Sequence, residues 1–195
     1  FNFAAAVGAA SIDAGVGADT LTFTGAVTGA TVSGLDDSGD VASLSGTNTL
    51  VFSSIGTGAQ VSFGAGADMA TFVGAIGAGS IYGGTGADTL DFNGAVGAAT
   101  VDSGAGADSF NFAAAVGAAS IDAGVGADTL TFTDVVSNAT LSGLDESGDV
   151  ASFSAQSSAV FSNVATGAQV SFGNGADAGT FSGTVGAASI YGGAG

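Results

Sequence analysis

The feature that most constrains this chain is that it copies itself. Displaced by 109 positions, residues 1–86 lie over residues 110–195 with 63 of 86 pairs identical, the first 24 without a break. A shorter beat runs inside that unit. The acidic residues that end each Gly-x-Gly-Ala-Asp, or its Ser-Gly-Asp variant, are Asp19, Asp40, Asp68, Asp88, Asp108, Asp128, Asp149 and Asp177, and the steps from each to the next are 21, 28, 20, 20, 20, 21 and 28. Five such steps make one 109-residue unit. A chain built from so short a beat cannot bury a core within one repeat and must stack the repeats on one another. It is read as one continuous body over residues 1–195, a complete unit (1–109) followed by an incomplete one (110–195). Phe1 stands mid-pattern and Gly192 to Gly195 break off inside a motif, so a piece of a longer repetitive chain is expected.

Each short repeat has the same grammar. From Gly84 to Ser103 it runs glycine turn, Thr89-Leu90-Asp91-Phe92, small-residue bend Gly94-Ala95-Val96-Gly97, then Ala99-Thr100-Val101-Asp102. Alternation places Leu21/Phe23, Leu90/Phe92, Phe110/Phe112 and Leu130/Phe132 on an inner face, with Thr, Ser, Asn or Asp outside. Phenylalanine recurs at 3, 23, 52, 72, 92, 112, 132, 161 and 181, and a branched aliphatic follows nine positions later at Ile12, Val32, Val61, Ile81, Val101, Ile121, Leu141, Val170 and Ile190. These positions are expected to form two stacked ladders. The fold class is therefore all-β: a parallel, β-roll-like solenoid of about nine coils of ~20 residues, two short strands each. Recurrent glycine and the lack of a helical apolar stripe argue against helices. An outer-membrane barrel would need longer antiparallel strands and aromatic girdles. The two longer steps hold about eight extra residues each, 41–48 and 150–157, expected as a wide corner, a bulging loop or a third strand.

Composition narrows the function. The chain has no Lys, Arg, His, Cys or Pro, 36 Gly, and 17 acidic residues, for a net charge of −17. Nucleic-acid binding and attachment to anionic membranes both rest on basic side chains and are excluded. Disulfides and thiolate metal sites are excluded with cysteine. No signal peptide or apolar membrane span is visible. A hydrophobic share of 46% with 9% charge is that of a chain able to fold. Catalysis would have to run on carboxylates and hydroxyls alone, each cluster being repeated in the second copy of the unit, and neither an enzyme nor a small-molecule site is expected.

Residues 83–91, Gly-Gly-Thr-Gly-Ala-Asp-Thr-Leu-Asp, match every position of the nonapeptide G-G-x-G-x-D-x-U-x. In this the chain resembles the RTX (hemolysin-type) calcium-binding β-roll family, found in bacterial surface-layer proteins and giant adhesins. The turns ending at Asp19, Asp108 and Asp128 keep all but the first glycine, and those ending at Asp68 and Asp177 keep Gly-x-Gly-Ala-Asp. Glycine allows turn carbonyls to be aimed inward, and Ca²⁺ takes six to eight hard oxygens at about 2.3–2.6 Å. The resemblance implies calcium between consecutive turns, held by Asp19, Asp68, Asp88, Asp108, Asp128 and Asp177 with carbonyls near Gly15, Gly64, Gly84, Gly104, Gly124 and Gly173. The family nonapeptide recurs back to back and lines both edges of its roll. Here it comes once per short repeat and the opposite bend has no carboxylate, so one metal edge is expected.

Asp36, Asp37 and Asp40, echoed by Asp145, Glu146 and Asp149, are the densest acidic cluster of each unit and are read as a richer or distorted site on that edge. Asp102 and Asp122, with Asp13, are either a further site or solvated. The alternative for Gly-x-Gly-Ala-Asp is a plain turn whose Asp caps backbone amides. Against it, carboxylates one coil apart repel by roughly 1 kcal/mol per pair in water and more inside a protein. The function expected is a structural, calcium-binding repeat region of an extracellular, secreted bacterial surface-layer, filament or matrix protein that associates with itself. The alternative is an extender or ice-binding region of a giant adhesin, for which outward Thr20-Thr22-Thr24 and Thr129-Thr131-Thr133 would have to continue as regular rows.

Overall fold

The computed structural model describes residues 1–195. The alternating segments all form strands, twenty of them, numbered β1 to β20 in chain order. Odd-numbered strands make one ten-stranded sheet and even-numbered strands the other, every neighbouring pair parallel. Two strands per coil give ten coils of a parallel β-solenoid. No helix is present, hence none long and apolar enough to cross a membrane.

The tenth coil comes from the two longer steps between acids. β3 (Thr20–Phe23) pairs with β5 (Val41–Leu44), and β5 with β7 (Gln60–Ser62). On the other sheet β4 (Thr28–Ser33) pairs with β6 (Thr49–Phe52), and β6 with β8 (Met69–Phe72). Thr20 faces Val41, Val41 faces Gln60 and Thr49 faces Met69, so register partners stay about one beat apart throughout and no coil is wide. The expected wide corner is corrected: residues 41–48 are β5 with its turn, an ordinary half-coil. The segment 150–157 is likewise β16 (Val150–Phe153) with its turn, ending at the first residue of β17 (Ser157–Val164). One 109-residue unit is thus five and a half coils, and each copy is rotated half a turn from the last. β1 (Asn2–Phe3) lies in the odd sheet, whereas its copy within β12 (Ser109–Phe112) lies in the even one.

Alternation predicts inside and outside correctly, and 44 buried apolar residues form one continuous core. Strand spacing forces like onto like. Phe52, Phe72, Phe92, Phe112, Phe132, Phe153 and Phe172 stack with ring centroids 4.6–5.2 Å apart and planes within 15°. Such aromatic pairs add roughly 0.5–1.5 kcal/mol each beyond burial. The single expected phenylalanine ladder is corrected in its ends. Phe3 and Phe23 stack in the odd sheet, as do Phe161 and Phe181, while Val32 continues the even-sheet column below Phe52. The half-coil moves the aromatic positions from one sheet to the other.

Candidate cation-binding edge

Two edges join the sheets: a front edge, where the chain passes from an odd to an even strand, and a back edge, where it returns. On the front edge the turns at 83–88, 103–108 and 123–128 stack directly, with bridges from Ala65 to Thr85, Ala105 and Val125 in succession. Glycine is required there. Gly84, Gly104 and Gly124 have φ of +100°, +93° and +80°, and a Cβ on any of them would collide with the carbonyl of the glycine one coil below.

The closing Asp of each turn points inward. Asp68, Asp88, Asp108 and Asp128 are 1–3% exposed. Three of them use Oδ1 to accept a backbone N–H from the Asp of the preceding coil: Asp88 from Asp68, Asp108 from Asp88 and Asp128 from Asp108, all at 2.8 Å. Asp68 accepts from Asn48 at 2.6 Å. The carboxylates are rungs of one ladder, each fastening the coil before it. Their other oxygens, Oδ2 of Asp68, Asp88, Asp108 and Asp128, are buried and have no hydrogen-bond partner. Burial pushes Asp88 and Asp128 up to about 6, opposed by the donated N–H and reinforced by neighbouring rungs. Burial also raises Asp68 and Asp108, against hydrogen bonds from Asn48 to the first and from the Asp88 N–H to the second.

These free oxygens fit a hard cation. Asp88 Oδ2 lies 3.2 Å from where a Cβ on Gly83 would stand, and the Ser103 carbonyl crowds the same point. That carbonyl and those of Gly83, Gly86 and Gly106 accept no backbone hydrogen bond, whereas Gly64, Gly84 and Gly104 accept from the next coil at 2.9 Å. The donors on offer are all oxygens, one carboxylate oxygen per coil with turn carbonyls, and at no point do three carboxylates converge. Such a set suits Ca²⁺ and leaves coordination positions for water.

The remaining acids divide. The expectation of a single edge is corrected: Asp19, Asp40 and Asp177 lie on the back edge, before odd strands, because the half-coil carries the motif across. Asp19 has a buried, unpartnered Oδ2, and Asp177 accepts the Ser157 N–H at 2.7 Å. Asp40 and Asp149 close their ladders. Asp40 accepts N–H groups from Asp19 and Asp37, and Asp149 from Asp128 and Glu146, so neither has an unpartnered oxygen. Asp36 and Asp145 are exposed, and Asp37 caps the Gly17 N–H at 2.7 Å. Hydrogen bonding to Asp145, helped by burial and acidic neighbours, pushes Glu146 up to about 7. Asp13 does not join Asp102 and Asp122. It stands in the even sheet, while those two are register neighbours in the odd one, and each of the three accepts the N–H of the glycine two positions on.

Asn48 is a site residue that the acidic pattern does not reveal. It is fully buried at the head of the front ladder, accepting the Val27 N–H at 3.0 Å. A signal for it exists: Asn48-Thr49-Leu50-Val51-Phe52 repeats Asp88-Thr89-Leu90-Asp91-Phe92 with the amide in the acid's place.

The other concavities are open grooves. The largest, about 410 Å³, is lined by Gln60, Ser62, Tyr82, Gly84, Asp102 and Gly104 on the outer face of the odd sheet. There the outward row Ser80, Thr100, Ser120, Thr140 is regular, but its neighbour reads Ser62, Tyr82, Asp102, Asp122. Compared with known proteins, the chain matches no family model, no curated protein and no solved structure.

Proposed function

We propose that this repeat solenoid is a calcium-stiffened structural region of an extracellular, secreted protein of the RTX β-roll kind, from a bacterial surface layer, filament or matrix, and that it associates with itself rather than turning over a substrate. One observation carries the reading: a row of buried carboxylates, each with one unpartnered oxygen, in a chain with no basic side chain to neutralise them. Burying an unpaired charge is costly, so the folded row calls for protons or bound cations, and oxygen donors beside uncommitted carbonyls favour Ca²⁺ over softer metals. Millimolar extracellular calcium would then fold and stiffen the rod, while a low-calcium cytosol would leave it loose. The outer faces, on which no nucleophile and base are set together, support a structural role over catalysis. The uneven row beside Ser80, Thr100, Ser120 and Thr140 gives no support to an ice-binding face.

The test is far-UV circular dichroism of the chain in excess chelator at neutral pH, titrated with Ca²⁺ and separately with Mg²⁺. The expected result is a β-signal that grows with Ca²⁺ and much less with Mg²⁺. A signal already complete in chelator and unmoved by Ca²⁺ would overturn the reading.

A further inference from the structure

The residues that stand immediately before the even strands form one column, since the strands' first residues are in register: Val27, Asn48, Asp68, Asp88, Asp108, Asp128, Asp149. Asn48 keeps the first half of the rung geometry, since its Oδ1 accepts the N–H of the preceding coil as each Asp Oδ1 does. The second half differs. Where the Asp rungs hold a buried Oδ2 with no partner, Asn48 holds an Nδ2 that donates to the Gly46 carbonyl at 2.7 Å and to Asp68 Oδ1 at 2.8 Å. Glycine also stands two positions before each Asp rung, at Gly66, Gly86, Gly106 and Gly126, and the carbonyls of Gly86 and Gly106 accept no hydrogen bond. Asp88 and Asp108 thus have, two residues before them, an uncommitted glycine carbonyl of the kind that the Asn48 amide uses, and the carboxylate of the next coil as a second acceptor.

We infer that Asn48 is an ion-free rung, its amide group making by itself the contacts for which each Asp rung needs a bound cation, and that this exchange sets where the row of cation sites begins. Carboxylate plus cation and amide alone are two solutions to one position in the fold. The far end is closed differently, by Asp149, whose second oxygen takes the Glu146 N–H. On this edge the four rungs between these two ends, each with an unpartnered oxygen, are the ones that bind. The count of ions rests on the calcium reading above; the exchange of an amide for a carboxylate does not.

Asp88→Asn, Asp88→Ala and Asn48→Asp, each in the full chain, test this in two ways. Calcium bound at saturation is counted by equilibrium dialysis at neutral pH, and the thermal midpoint is followed by circular dichroism in excess chelator. Asp88→Asn is expected to bind one ion fewer and to raise the chelator midpoint by roughly 2–6 °C, while Asn48→Asp binds one more and lowers it by a similar amount. Asp88→Ala, which loses the carboxylate without gaining a donor, loses the ion and gains no stability. A chelator midpoint that falls in Asp88→Asn as far as in Asp88→Ala overturns the inference, as does an Asn48→Asp variant unchanged in both measurements. If the parent chain is unfolded in chelator, the calcium concentration at half-folding is read instead. It should then fall severalfold in Asp88→Asn, and a rise overturns the inference. A parent chain that takes up no calcium ends the calcium reading alone, and the order of the chelator midpoints still decides the amide exchange.

Discussion

The two edges of the same coils solve one problem differently. From the turn before β8 to the turn before β14 (Thr129–Phe132) the front edge runs through Gly-x-Gly-Ala-Asp and buries Asp68, Asp88, Asp108 and Asp128. Half a coil later the back edge turns through Gly97-Ala98-Ala99 or Gly117-Ala118-Ala119 and buries Ala99 and Ala119 instead. The back column itself changes from Asp40 to Ala59 in successive coils without altering the strand pairing. Alanine can therefore also close a coil of this solenoid, and strand pairing alone does not account for the buried acids. A costly group that strand pairing does not demand supports the proposed cation-binding role of its unpartnered oxygens.

The largest effect should strike both edges alike. Phe92 lies in the column that the two share, and Phe92→Ala should cost roughly 3–5 kcal/mol in a denaturant titration with calcium present. A silent change would mean that the edges do not depend on a common core. Asp88→Ala with Asp108→Ala should strike one edge only. It removes two cations from the saturated count and leaves the N–H groups of Asp68 and Asp88 without acceptors, at about 1–3 kcal/mol each. The paired control, Ala99→Ser with Ala119→Ser, should leave the calcium count unchanged, and a lost ion there would erase the contrast.

The pH response in chelator separates the edges further. Asp88 and Asp128 are pushed up to about 6, above the ordinary carboxylate value near 4 that the unfolded chain would show. The neutral acids are favoured in the fold, so their contribution is fully present below about pH 4 and is lost as pH rises through about 6. The thermal midpoint should therefore fall between pH 4 and pH 7 in chelator, the reverse of ordinary acid denaturation, and calcium should restore it at pH 7. A midpoint that rises over that range would show the row to be ionised and stable unaided. The smallest effect belongs to the exposed back edge, where Ala118→Ser should stay within about 0.5 kcal/mol.

Much of this was legible in the residues. Leu90/Phe92 and Phe110/Phe112 read as inward because alternation is a local property, and the glycine-aspartate turns read as stacked because the short beat repeats. The edge switch was not legible from the acids, since the long step between Asp40 and Asp68 measures a motif that changes sides, not a coil. Val41-Ala42-Ser43-Leu44 and Thr49-Leu50-Val51-Phe52 each alternate as strands do, and counting strands instead of acids reveals the half-coil. That Asp40 and Asp149 have both oxygens engaged is a matter of side-chain direction, which spacing does not encode. The separation of Asp13 from Asp102 and Asp122 has the same origin as the edge switch, a half-coil that no count of acids reveals.

Because each 109-residue unit advances the chain by five and a half coils, an array of such units has a parity. Adding or removing one unit by duplication or deletion shifts every later coil by roughly 26 Å along the axis and turns it to the opposite side. Adding or removing two restores its direction. Changes in copy number are thus of two kinds: even ones alter only length, and odd ones reverse which way the rest of the molecule faces.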